Sequence, residues 1–266
     1  MITVRQLLQQ SDVPRLDKRV ILREITGFSD AQLISRDDAP LSDQQLIQYQ
    51  SWIERLQKGE PIAYIIGYKE FFSRRFKVTP DTLIPRPDTE ILVEKILATA
   101  KNGDSLLDMG TGSGCIAISC QLENPTLNVS ACDISSAALA IAKENAKLLN
   151  AEISCIESNW FQAISGKFAI IASNPPYIHV TDNHLANLAY EPASALTDFA
   201  DGLSAIRQII QDAPKHLLNQ GWLLFEHGYD QANKVRELLR EQGFQNISSE
   251  KDYAGIERVS YGQWIE

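Results

Sequence analysis

A chain of 266 residues with 44% hydrophobic content can bury a real core and is long enough for one large domain or two small ones. Its formal charge of −9 and pI near 5.0 argue against tight binding to naked nucleic acid, where phosphate neutralisation by lysine and arginine dominates affinity. Residues 1–19 are polar and charged with no signal-type apolar run, and no segment approaches the roughly 20 apolar residues of a membrane helix, so a cytoplasmic protein without a membrane contact is expected.

The first 60 residues read as helical. Residues 16–25 carry apolar side chains at helical spacing and end at Gly27, a good residue for a left-handed helix end. Ser42 and Gln45 form a capping box ahead of the stripe Leu46, Tyr49, Ile53 and Leu56, and Gly59 with Pro61 stops that helix. Residues 1–61 are therefore predicted to be a helical bundle with its own core, and also a surface for docking a partner. Residues 62–82 change character: Phe72, Phe76 and Val78 alternate partly with polar residues, which predicts a linking β-hairpin. The segment LIPRPDTE at 83–90 is a loop held by two prolines, and Ile91, Leu92, Ile96 and Leu97 continue as an amphipathic helix. Arg86, Asp88 and Glu90 read equally well as a charged helix start and as the rim of a site.

From residue 104 onward strands and helices alternate. Strands are expected at 105–109, 127–132, 153–156, 168–173 and 222–226. Helices are expected from 116, after the cap Ser135, over 203–218 and over 235–242, and the tail over 247–264 reads as two antiparallel strands. The pattern predicts an α/β doubly wound sheet of Rossmann-like type over 83–266. The four cysteines, Cys115, Cys120, Cys132 and Cys155, form no C-x-x-C pair and have no histidine cluster beside them, so reduced, buried thiols and no metal are expected.

The first strand ends in Asp108-Met109-Gly110-Thr111-Gly112-Ser113-Gly114. Glycines there let the chain turn sharply and let a ligand approach the backbone. Asp133, at the end of the second strand, is placed to accept both hydroxyls of a ribose. Strand, glycine turn, helix, strand and acid make a nucleoside-binding layout. Gly112, Gly114 and Ala117 also satisfy the G-x-G-x-x-A dinucleotide pattern, so nicotinamide or flavin binding stays open on these residues alone, as does a purely structural turn. Asp108 is placed to accept from an amino-acid ammonium or from loop N–H groups. Trp160 reads either as a stacking partner for adenine or as a partly buried core residue.

The tetrapeptide Asn174-Pro175-Pro176-Tyr177 follows the fourth strand, where open α/β sheets hold their ligands. Two prolines stiffen the turn and offer only carbonyl oxygens, the Asn174 amide both donates and accepts, and Tyr177 adds a flat ring. The set suits a planar group bearing an NH2. Together with the glycine loop it points to a methyl donor and a nitrogen acceptor meeting in one crevice.

With the glycine loop, Asp133 and the Asn-Pro-Pro-Tyr loop read together, the chain resembles S-adenosylmethionine-dependent class I methyltransferases. The segments Glu60-Pro61-Ile62-Ala63-Tyr64, LIPRPDTE, Tyr190-Glu191-Pro192 and Glu226-His227-Gly228 are similar to those of the release factor glutamine methyltransferase family. The resemblance implies transfer of a methyl group to the glutamine side-chain nitrogen in the Gly-Gly-Gln loop of bacterial peptide chain release factors. It implies that Gly110, Thr111, Gly112, Ser113 and Gly114 line the methionine part of S-adenosylmethionine, that Asp133 holds the ribose and that Trp160 borders the adenine. Asn174, Pro175, Pro176 and Tyr177 would hold the substrate glutamine, with Asn174, Pro175 and Tyr177 acting in catalysis and Asn174 also touching the cofactor. Asn159 stands where the family's pattern has an aspartate before the tryptophan. Release factors would be the partners of a monomeric enzyme. The alternatives are an adenine or guanine nucleic-acid methyltransferase, which shares the Asn-Pro-Pro-Tyr loop, and a non-enzymatic adaptor with a degenerate cofactor site.

Overall fold

Local hydrogen bonding starts the N-terminal helices. Thr3, Ser29 and Ser42 each accept the N–H of a glutamine three residues on, and each glutamine side chain accepts the cap residue's own N–H. These reciprocal boxes open α1 (Val4–Gln9), α3 (Asp30–Ser35) and α4 (Asp43–Gln57); between the first two, α2 (Arg15–Thr26) follows Pro14 and ends on Gly27 at φ 72°. The structure, a computed structural model, describes residues 2–10 and 12–266. Val4, Leu7, Ile21, Leu22, Leu33, Tyr49 and Ile53 are buried together as the core of this unit, which runs to Tyr68. Lys18 is buried in it with its ammonium on the Gln10 carbonyl and 3.2 Å from the Asp12 carboxylate, so the charge is paired as burial requires.

The strand pair expected from residue 62 begins later. Residues Ile62–Ile66 form a helical turn, α5, because the Pro61 carbonyl accepts from the Tyr64 and Ile65 N–H groups at 3.0 and 3.2 Å and Gly67 closes it at φ 85° with its N–H on the Ala63 carbonyl. A short apolar run does not distinguish strand from buried helix by periodicity. The hairpin is β1 (Tyr68–Phe71) and β2 (Arg74–Lys77), turning on Phe72 and Ser73 at φ 48° and 60°. Two successive positive φ values match the twist of a two-residue hairpin, although neither residue is the usual glycine or asparagine.

The second unit, Lys69–Glu266, is built on one sheet. In chain order its elements are α6 (Thr89–Thr99), β3 (Ser105–Met109), α7 (Cys115–Glu123), β4 (Asn128–Asp133), α8 (Ser136–Leu149), β5 (Ile153–Glu157) and β6 (Phe168–Ser173). Then come α9 (Ala193–Leu196), α10 (Ser204–Asp212), β7 (Leu217–Glu226), α11 (Ala232–Gln242), β8 (Gln245–Lys251) and β9 (Glu257–Gln263). The sheet order is β5-β4-β3-β6-β7-β9-β8, parallel through β7 and antiparallel at β9 and β8. Side chains alternate between two cores. Leu106, Ile170 and Leu224 join Leu92, Ile96, Ile116 and Ile118 on one face, while Leu107, Ile171 and Phe225 join Ile206, Ile209, Val235 and Leu239 on the other. The chain leaves β3 toward β4 on one side and returns with β6 on the other, so a crevice opens beyond the carboxyl ends of β3 and β6.

The helix expected over 203–218 is shorter. It ends at Asp212 and gives way to a 3-10 turn over Ala213–Lys215, because Pro214 has no N–H to continue the ladder. The following strand starts at Leu217 rather than 222 and carries an irregularity where its pairing passes from Leu217 to Trp222. Cys115, Cys120 and Cys132 are buried free thiols and Cys155 is partly buried; burial pushes the Cys115 and Cys132 thiols up to about 12, which keeps them protonated and unreactive.

Candidate active site

The glycine loop leaves β3 by a sharp reversal. Gly110 and Thr111 both donate their N–H groups to the Cys132 carbonyl at the end of β4, at 2.8 and 3.0 Å, and Ser173 at the end of β6 donates its hydroxyl to the Met109 carbonyl at 2.8 Å. The three strand ends are thereby tied together. Gly110 and Gly112 have φ 70° and 55°; a Cβ at Gly112 would meet nothing within 4 Å, and one at Gly110 only the Trp160 ring. These two glycines serve the turn and leave its surface open. Gly114 is different. A Cβ there would stand 2.9 Å from Ile118 and 3.3 Å from the Ala142 backbone, so its role is to let α7 and α8 approach.

Asp108 is fully buried beneath this loop. Its Oδ2 accepts from the Thr111 hydroxyl at 2.6 Å and from the Ala117 N–H at 3.2 Å, at the start of α7. Its Oδ1 is buried without a hydrogen-bond partner. Burial pushes the carboxyl up to about 7, against the pull of those two donors. Asp133, half-buried at the end of β4, accepts from the Gly112 N–H through Oδ2 and from the Ser135 N–H through Oδ1, both at 2.9 Å. One carboxylate thus fixes the loop and the start of α8, and each oxygen keeps a lone pair.

These groups face a cavity of about 490 Å³, lined by Gly110, Gly112, Asp133, Ile134, Asn159, Trp160, Asn174, Pro176 and Asp198 among others. Its size is that of a small-molecule site. Trp160 has φ 48°, an uncommon value for a bulky residue, and its ring packs against the core on one side while bordering the cavity on the other. The core reading of Trp160 holds, and the same ring lines the cavity. Exposed Ile134, beside Asp133, adds an apolar wall that the sequence pattern did not single out.

At the end of β6, Asn174 and Pro176 line the same cavity, whereas Pro175 is buried and Tyr177 lines a second one. The Asn174 amide nitrogen donates to the Thr89 hydroxyl at 3.2 Å, so the amide oxygen is the end left for a ligand. The Tyr177 hydroxyl donates to Glu226 Oε1 at 3.3 Å, and burial holds the phenol well above its ordinary value, as a neutral donor. Behind the loop, Gln231 donates to the Tyr177 carbonyl at 3.0 Å, and Gly202 passes so close to that carbonyl that no side chain fits there. Asp198 orders the neighbouring wall by accepting from Ala200, Gly202 and Ser204 N–H groups and from the Ser204 hydroxyl. Glu191, buried, accepts from Arg86 at 2.5 Å and from the Ile84 N–H at 3.0 Å, which pins the LIPRPDTE loop to the Tyr-Glu-Pro segment. His227 is buried with both ring nitrogens bonded, to the Gly228 carbonyl and the Ser260 hydroxyl, and burial lowers its basicity.

Comparison with known proteins decides the family. Residues 2–67 match the PrmC N-terminal domain and residues 87–196 the Methyltransferase small domain. The chain is 46% identical over 267 residues to the release factor glutamine methyltransferase of Vibrio cholerae, covering 97% of this chain and 93% of that protein. It is 41% identical over 270 residues to that of Neisseria gonorrhoeae, covering 100% and 99%. The chain belongs to the release factor glutamine methyltransferase family. A methyltransferase from Pyrococcus furiosus, 18% identical, superposes with a TM-score of 0.58 over 80% of this chain and 98% of that one, which shows the shared class I methyltransferase fold. The sheet predicted from the sequence is this fold, with a helical N-terminal domain ahead of it.

Within the family's cavity the structure brings together Gly110, Gly112, Asp133, Trp160, Asn174 and Pro176. Thr111, Ser113 and Gly114 lie beneath the surface as supports. The residues that sequence reasoning missed are supports as well: Thr89, Asn145, Asp198 and Gly202. Asn145 is fully buried on α8; its oxygen accepts from the Lys77 N–H at 2.7 Å, and its nitrogen donates to the Lys77 and Ser113 carbonyls at 3.0 and 2.8 Å. It clasps the hairpin and the glycine loop together. Asn145→Ala leaves one buried and two partly buried backbone groups without these partners and is expected to cost about 3 kcal/mol in urea unfolding. Asn145→Asp, which keeps the acceptor but loses both donors and buries a charge against two carbonyls, should cost more than alanine does; the reverse order would count against the clasp.

Proposed function

We propose that this chain transfers a methyl group from S-adenosylmethionine to the side-chain amide nitrogen of the glutamine in the Gly-Gly-Gln motif of bacterial peptide chain release factors. The observation that carries the reading is the Asn174 amide: its nitrogen is engaged by Thr89, and its oxygen is left to accept at the wall of the nucleoside-type cavity. An acceptor at that place suits an NH2 group, and the enzymes to which this chain is 41–46% identical carry glutamine methylation in their name.

The cavity fits the cofactor. Gly110 and Gly112 leave an open cradle, Asp133 keeps lone pairs for ribose hydroxyls, Trp160 and Ile134 offer apolar faces for adenine, and the unpartnered Asp108 oxygen under the loop favours a cationic group nearby. When bound, S-adenosylmethionine supplies a methyl group activated by its sulfonium charge. An amide nitrogen is a poor nucleophile because its lone pair is delocalised, so the task of the chain is mainly positioning. The Asn174 oxygen accepts an N–H of the substrate amide and holds the nitrogen in line. As the new N–C bond forms, positive charge grows on nitrogen, and the same acceptor stabilises it. Tyr177 supports the loop behind it. The methylated nitrogen loses its extra proton readily, so a dedicated base such as His227 has no task here.

The test is mass mapping of release factor after incubation with this protein and S-adenosylmethionine. One methyl group on the Gly-Gly-Gln glutamine is expected, with none on DNA or ribosomal RNA offered under the same conditions. Methylation of either nucleic acid without release factor would overturn the reading.

A further inference from the structure

Resting on the glutamine reading above, we propose that Gln231 is a positioning residue for methyl transfer: its side-chain amide fixes the far end of the Asn174–Tyr177 loop and thereby holds the Asn174 acceptor in place. Gln231 stands immediately before α11, where a capping residue belongs, yet its side chain makes no capping bond to that helix. It engages three loops instead. Oε1 accepts from the Gly228 N–H at 2.8 Å, just past the end of β7. Nε2 donates to the Tyr177 carbonyl at 3.0 Å and to the Gly202 carbonyl at 3.3 Å. Because the Gly228 N–H occupies the oxygen, the orientation of the amide is set, and its nitrogen faces the two carbonyls.

The tetrapeptide is anchored at both ends. Before it, the Ser173 hydroxyl donates to the Met109 carbonyl at 2.8 Å. At its end, Gln231 holds the Tyr177 carbonyl, and the Ile178 N–H donates to the Leu196 carbonyl at 2.9 Å. Between these anchors Pro175 and Pro176 have fixed φ, and each also restricts the residue before it, Asn174 and Pro175. With so few free torsions, a displacement of the Tyr177 carbonyl is carried back to Asn174 and is not absorbed on the way. A shift there would also disturb the bond from the Asn174 nitrogen to Thr89, at 3.2 Å. The fit around the anchor is close: a Cβ on Gly202 would collide with the Tyr177 carbonyl oxygen and stand 2.9 Å from Gln231 Nε2. The Gly202 N–H donates in turn to Asp198 at 3.0 Å, so the cavity wall carrying Asp198 is tied to the same amide.

The fold itself asks little of this side chain. Ala232, Val235 and Leu239 are the buried residues of α11 and seat the helix without it. The bonds that hold Gly110, Gly112 and Asp133 do not involve it either. What Gln231 supplies is alignment, and a misplacement of about 1 Å at a reacting group costs on the order of hundredfold in rate.

The experiment compares the parent protein with Gln231→Met, Gln231→Glu, Asn174→Ala and the double variant of Asn174→Ala with Gln231→Met. Methionine keeps the unbranched shape and loses all three bonds. Glutamate keeps the acceptor for Gly228 and turns its second oxygen on the Tyr177 and Gly202 carbonyls. Single-turnover methylation of release factor is measured at saturating cofactor and below the melting temperature of each variant, with cofactor affinity by calorimetry. The Asn174 side-chain NH2 signals are followed by nitrogen-15 NMR, assigned by their loss in Asn174→Ala. Gln231→Met should slow transfer by about tenfold to hundredfold at unchanged cofactor affinity, and Gln231→Glu by at least as much. On the Asn174→Ala background the methionine substitution should change the rate by less than about twofold, because the group it positions is gone. The Asn174 signals should move in Gln231→Met while those of Asn145 stay. A parental rate in Gln231→Met, its full effect repeated on the alanine background, or unmoved Asn174 signals overturns the role. Should the methionine protein not fold, Gln231→Glu carries the same readouts. An inactive parent protein would instead count against glutamine methylation, and the Asn174 signals would still decide the role of Gln231.

Discussion

Asn174→Ala will lower the rate of release factor methylation by about 10²–10³-fold while leaving cofactor affinity nearly unchanged. The size follows from what the side chain does. Its oxygen is the acceptor at the cavity wall, and its nitrogen holds Thr89 at 3.2 Å. Alanine removes the acceptor and leaves a buried hydroxyl without that partner. The proposed cofactor cradle of Gly110, Gly112 and Asp133 is held by other bonds, from the Gly110 N–H to the Cys132 carbonyl and from the Gly112 and Ser135 N–H groups to Asp133, and none of them involves Asn174. Single-turnover rates with cofactor saturating, set beside calorimetric titration of the cofactor, separate the two effects. A matching loss of cofactor affinity would show that Asn174 belongs to the cradle rather than to the substrate.

The elements that were legible in the sequence are those whose physics is local. Central strands such as Phe168–Ser173 read as apolar runs because both faces are buried, and the glycine loop reads directly because glycine adopts φ 55–70° without a side-chain penalty and leaves the cavity wall open. The hairpin turn at Phe72-Ser73 was not legible, because neither residue advertises a positive φ; it shows only once β1 and β2 are seen to pair as a two-stranded sheet. Helix α5 was hidden by its shortness, since one apolar turn between Pro61 and Gly67 has no period to read. The supports of the site were hidden for another reason. Thr89 meets Asn174 across 85 positions, and Asn145 meets Lys77 across 68; no spacing rule reaches that far. The groups that line the cavity sit mostly in motifs at strand ends, whereas the groups that hold them are scattered through the fold and known only once it is closed. That division explains why Tyr177, grouped with the substrate by its place in the tetrapeptide, turns its hydroxyl to Glu226 and lines a separate cavity.

Asp133→Ala should show the inverse of the Asn174 pattern. Cofactor affinity is expected to fall by about tenfold to hundredfold, the range set by losing a hydrogen bond to a charged group, with kcat largely recovered at saturating cofactor. The structure adds a second consequence. Both Asp133 oxygens already hold backbone N–H groups, Gly112 on the loop and Ser135 at the start of α8, each at 2.9 Å. Alanine therefore loosens the loop as well as removing the proposed acceptor for ribose. Asp133→Asn separates the two, because its single oxygen can keep one of those N–H groups but not both. If the carboxylate serves the ligand directly, asparagine should recover most of the lost stability in a thermal melt and only part of the cofactor affinity. If Asp133 is only a clasp for the loop, stability and affinity should recover together, and an alanine variant with parental affinity would remove Asp133 from the cofactor site altogether.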